Sequence, residues 1–124
     1  MEINKVLIET PSLKATAGQE AEELRLAWQV ALETYDNEEA LFMLKEKAKN
    51  SDIKATELKV LVSSNDVLFE KRLNNVKLES EYRRKELEIN RLDDLFTSAK
   101  MLGRLQIAEM GSLNTELYEK KKGV

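Results

Sequence analysis

The chain has 124 residues, enough for one small domain, and it lacks cysteine and histidine, which excludes disulfides, thiolate or imidazole catalysis and zinc-thiolate sites. Against 20 lysines and arginines stand 23 acids, and a net charge of −3 is too balanced for a general nucleic-acid coat. Charged residues make up 35% of the chain, above the ~25% of ordinary domains, which suits helices with a large solvated surface.

At the amino terminus, Ile3, Val6, Leu7 and Ile8 fit a short strand or a helical turn equally well. Glu2 and the brevity of this apolar patch do not match a secretory signal, and no run approaches the ~20 apolar residues of a membrane span. A cytoplasmic protein with no membrane contact is expected. Pro11 disfavours helix at Thr10, so residues 1–18 are expected to be extended or flexible, with the first helix starting near Thr16 to Gln19. Glu20, Glu22 and Glu23 complement the positive end of that helix.

Ala21, Leu24, Trp28, Ala31, Leu32 and Tyr35 follow at helical steps. Asp36 and Glu39 have capping-box spacing, so residues 19–49 read as one bent helix or two in succession. Asn50-Ser51-Asp52 is the strongest turn in the chain, and the reversal of direction is placed there. Residues 53–62 read as a short helix, and Ser63-Ser64-Asn65-Asp66 as a cap leading into a long helix over 66–110. Alternatively, the helix from Ile53 runs straight on. Gly111-Ser112 resembles a helix stop, which leaves 111–124 as a mobile tail ending in Lys120-Lys121-Lys122.

Residues 66–110 organise the rest. Leu78, Tyr82, Ile89, Leu92, Phe96 and Ala99 lie at steps of three, four and seven on one helix face, and the other face is almost wholly charged. Such a helix runs ~65 Å, whereas residues 19–49 span at most ~45 Å. The fold class that follows is all-α: a long antiparallel helical hairpin, coiled-coil-like, completed by self-association into a homodimer or higher homo-oligomer. Trp28, Tyr82, Ile89, Leu92, Phe96, Ala99 and Leu102 are the expected self-association or partner interface, in which the large aromatics contribute most. The aromatics Trp28, Phe42, Phe69 and Phe96 could anchor an interface or equally fill the space between two helices.

Little in the sequence speaks for catalysis. Asp93 and Asp94, with Glu86 and Asn90 nearby, have the helical spacing to gather a magnesium ion, but a solvated face opposite Leu92 and Phe96 accounts for them as well. Four scattered glycines build no phosphate loop. A non-enzyme without cofactor or metal is expected. The basic residues Lys71, Arg72, Arg83, Arg84 and Lys85, with the lysine tail, are candidate nucleic-acid contacts. Against that, Glu79, Glu81, Glu86 and Glu88 surround the arginine cluster and cancel much of its field.

In the order of an acidic first helix (Glu20 to Glu39), a polar elbow (Asn50-Ser51-Asp52), the segment Ala55 to Val62 and a long charged rod, the chain resembles a loose group of small helical proteins. These are encoded by bacteriophages and integrative elements among their early recombination and replication genes. The resemblance implies an accessory or adaptor factor without catalytic residues, and it assigns no site. Two functions are therefore expected. The first is a helical interaction protein that contacts a recombination, nuclease or host-defence factor, and the second is a DNA-binding accessory.

Overall fold

The computed structural model describes the backbone of residues 2–122 and the side chains of residues 2–111. It contains three helices, α1 (Ile3–Lys49), α2 (Ala55–Ser64) and α3 (Asp66–Lys122), and no strand among the described residues. The protein is all-α, and α1 packs against α3 in a hairpin-like arrangement.

The connections follow local chemistry closely. Asn50 Oδ1 accepts from the Asp52 amide at 3.2 Å, an Asx turn that ends α1 at the expected elbow. Asn65 has extended backbone at φ −75° and ψ 120°, which separates α2 from α3. Its Oδ1 accepts from the Leu68 amide at 3.0 Å, so one residue closes α2 and caps α3. The helix from Ile53 does not run straight on.

Two expectations about helix boundaries are corrected, and one alternative left open by the sequence is resolved. Residues 3–18 are neither strand nor flexible segment, because α1 starts at Ile3 and carries Pro11 inside it. An interior proline deletes a backbone hydrogen bond and costs about 3 kcal/mol, so tertiary packing must outweigh it. Thr10 and Ala17, on either side of Pro11, are buried. No restart occurs at Asp36, since α1 continues to Lys49, and Tyr35 and Glu38 are tied to α3 across that point. Finally, α3 does not stop at Gly111-Ser112 but continues to Lys122, and no described glycine adopts positive φ. One glycine costs a growing helix only about 1 kcal/mol relative to alanine, less than the cost of nucleating a new one. The side chains of the expected tail, including Lys120 to Lys122, lie outside the described residues.

The chain divides into two compact units. Gln19–Glu86 forms one unit, and Met1–Gly18 with Leu87–Val124 forms the other. In the first, Ala21, Leu24, Trp28, Ala31, Tyr35, Glu38 and Phe42 of α1 turn inward at alternating steps of three and four. Leu68, Lys71, Asn75, Leu78, Tyr82 and Lys85 of α3 do the same. That 3.5-residue period is the seam of a coiled coil, which keeps each stripe facing its neighbour. The pairs Glu20 with Lys85, Trp28 with Tyr82 and Glu38 with Lys71 climb α1 while descending α3, so the two are antiparallel.

The second unit repeats this logic. Ile3, Leu7, Thr10 and Ala17 of α1 serve Ile89, Leu92, Phe96, Ala99 and Gly103 of α3. A Cβ placed on Gly103 would lie 3.7 Å from Ile3 Cγ2, and Lys14 pairs with Asp93.

Candidate interaction surface

The structure places six of the seven expected interface residues inside these seams and leaves Leu102 exposed. In the Gln19–Glu86 unit, the Trp28 and Tyr82 rings lie 6.0 Å apart, tilted by 32°, each half-buried. The Arg83 guanidinium stands 6.0 Å from the Trp28 ring and 5.9 Å from the Tyr82 ring, within cation-π range. In the other unit, Ala99 is fully buried at 0% exposure, Ile89, Leu92 and Phe96 are half-buried, and Leu102 stays 42% exposed. The premise that Ile89 to Ala99 need another chain is thereby removed. The stretch of α1 from Ile3 to Gly18, expected to be extended, supplies their cover.

Contacts within the protein take up four of the five expected nucleic-acid residues on α3. Lys71 pairs with Glu38 and Lys85 with Glu20. Arg72 turns inward, where Nη1 donates to the Tyr35 hydroxyl at 2.9 Å and Nη2 to the Ser63 carbonyl at 3.2 Å. Arg83 pairs with Glu86 at 3.3 Å and lies 3.9 Å from Glu79. Arg84 is exposed. Asp93, considered for magnesium, is held by Lys14, and among the described residues no group of three acids is placed to hold a metal ion.

Titration behaviour follows from the same contacts. Burial pushes the Tyr35 phenol up; the hydrogen bond from Arg72 opposes this, and Glu39 adds to it. A hydrogen bond to Glu86 is the main cause of the raised Tyr82 phenol, with desolvation second. Arg25, which grips Glu22 at 2.6 Å one turn away on α1, holds the Glu22 carboxyl below its ordinary value.

What the sequence reading missed is a second set of apolar stripes. On α1, Ala27, Val30, Thr34, Asn37, Leu41 and Leu44 also alternate by three and four, and Val30, Leu41 and Leu44 are exposed. On α3, Phe69, Leu73 and Val76 lie at i, i+4 and i+7, exposed by 50, 53 and 62%. Val60 and Leu61 of α2 are exposed as well. In the same unit, Leu41, Phe42, Val67 and Leu68 line an apolar groove rimmed by Glu38 and Lys45. The signal was present in the sequence, because each second stripe keeps the seam's period at a fixed offset.

In the unit containing the amino terminus, a groove of about 470 Å³ is lined by Thr10, Pro11, Lys14, Ala15, Asp93 and Phe96. No helix of the described residues is long and apolar enough to cross a membrane. Comparison with protein-family models, curated proteins and solved structures returned no match to the chain.

Proposed function

We propose that this chain is a non-catalytic helical interaction protein, an adaptor that presents apolar helix faces to protein partners. The observation that carries the reading is the excess of exposed apolar side chains over buried ones. Ala17, Ala21, Leu58, Leu68 and Ala99 form the buried core, while Val30, Leu41, Leu44, Phe69, Leu73 and Val76 stand in solvent as ordered stripes. Ordered stripes of this kind are what a helix-in-groove or helix-bundle contact uses. The resemblance in element order supports placing the adaptor among phage or mobile-element accessory factors that act on recombination, nuclease or defence proteins.

The DNA-binding reading is weakened because Lys71, Lys85, Arg72 and Arg83 are engaged within the protein, so phosphate contacts would first have to break those pairs. Two measurements test the proposal. Photo-crosslinking from position 41 or 44 in the cell of origin should trap a defined protein, and Val30→Asp with Leu44→Asp should abolish that crosslink while helicity is retained. A gel-shift titration should show little duplex binding near physiological salt. Tight DNA binding that falls with a steep salt slope, together with no protein crosslink, would reverse the assignment.

A further inference from the structure

We infer that the outer face of α3 around Leu73 is a self-association surface, on which a second copy of this chain packs its own α3 antiparallel about a twofold axis at Leu73. This deepens the interaction reading by naming one partner, and it rests on the Gln19–Glu86 unit alone. Phe69, Leu73 and Val76 point away from the seam that Leu68, Asn75 and Tyr82 build with α1, and each is at least half exposed. Three adjacent apolar side chains on one helix are a stripe that a second helix covers.

Charge decides which helix. Glu70 and Lys77 lie seven residues apart on the same flank of the stripe, and neither has an ion-pair partner among the described residues. Their neighbours differ in this respect: Lys71 is paired with Glu38, and Arg83 with Glu86. On the opposite flank, Arg72 is drawn inward onto Tyr35 and the end of α2, and Glu79 lies beside Arg83. The free charges are therefore one acid and one base, placed on either side of Leu73.

If the second α3 runs parallel and in register, the flank that carries Glu70 and Lys77 abuts the opposite flank of the other copy, the side of Arg72 and Glu79, so Glu70 and Lys77 do not meet each other. If it runs antiparallel about Leu73, each Glu70 faces the Lys77 of the other copy, Phe69 faces Val76, and Leu73 meets Leu73. Flanking charges of this kind set partner choice and direction in helix pairs. The face is self-complementary in that one arrangement.

The test uses the full-length chain and two single charge variants, Glu70→Lys and Lys77→Glu, with mass measured by sedimentation or light scattering across micromolar concentrations. Wild type is expected to dimerise. Each single variant places like charges opposite each other at both ends of the stripe and should dimerise about tenfold or more weakly, a shift of ~1.4 kcal/mol. An equimolar mixture of the two variants restores both opposite-charge contacts, and so does the double variant Glu70→Lys with Lys77→Glu. Both should recover wild-type association. Leu73→Asp, at an exposed position where folding is checked by circular dichroism, should give a monomer.

A wild-type chain that stays monomeric overturns the inference, as does a mixture no tighter than its separate components. A monomer that still yields the specific crosslink from α1 would sink the self-association and leave the adaptor reading intact. A dimer without that crosslink would do the reverse.

Discussion

At the scale of single residues, the seam combines small and aromatic side chains with polar groups that reach across it. Tyr35 and Tyr82 show what this does to titration. Folding favours the neutral phenol at both, by burial at Tyr35 and by the Glu86 hydrogen bond at Tyr82. A raised folded value means that the associated stability is fully present below the ordinary tyrosine value of ~10 and is lost as pH rises through the folded value. Phenolate absorbance should therefore show both residues titrating above a free tyrosine, and Tyr35→Phe should lose less melting temperature than wild type over that alkaline window. An equal loss in both proteins would mean that Tyr35 is not held by burial. Glycine offers a second check at this scale. Gly103 has room for a Cβ, whose nearest contact is 3.7 Å away, and Gly18 has nothing within 4 Å. Since both are helical, Gly103→Ala and Gly18→Ala should each stabilise by about 0.5–1 kcal/mol, read as a higher melting temperature. A drop at Gly103 would show that Ile3 sits closer than an alanine allows.

At the scale of elements, α1 shows what the sequence made legible and what it did not. The inward stripe Ala21, Leu24, Trp28, Ala31, Tyr35 could be read directly, because its period is a property of one helix. The elbow at Asn50 and the cap at Asn65 were equally readable, since the side chains that make them are adjacent in sequence. Pro11 misled because it is a local signal against helix that a distant partner overrides, the partner of residues 3–17 lying more than 70 residues away on α3, and Gly111 misled because one glycine costs a growing helix too little to stop it. The cover that Ile89, Leu92, Phe96 and Ala99 find within the chain was not legible for the same reason. Pro11→Ala isolates the local cost. Restoring the backbone N–H opposite the Leu7 carbonyl should raise stability by up to about 3 kcal/mol. An unchanged or lower melting temperature would show that the proline ring contributes equally through the groove it shares with Phe96.

At the scale of the whole molecule, α3 is too long to be covered by residues 19–49, and the chain solves this by extending α1 back to Ile3. The consequence is that two faces of α3 have different fates. Ile89, Leu92, Phe96 and Ala99 are covered within the chain, while Phe69, Leu73 and Val76 are not. Deleting residues 2–18 should invert that distinction for the first set without touching the unit built from Gln19–Glu86. Each large side chain so uncovered loses ~1.5–3 kcal/mol of burial, more in total than an isolated helix gains from propensity. The amides of residues 87–111 should then lose hydrogen-exchange protection, or the truncated chain should gain a new association that Phe96→Asp abolishes, while residues 66–86 keep their protection. The new association would be insensitive to Leu73→Asp, which separates it from the one proposed at Leu73. If 87–111 remain protected in a strictly monomeric truncated chain, then α1 does not provide their cover, and the division of labour between the two faces is wrong.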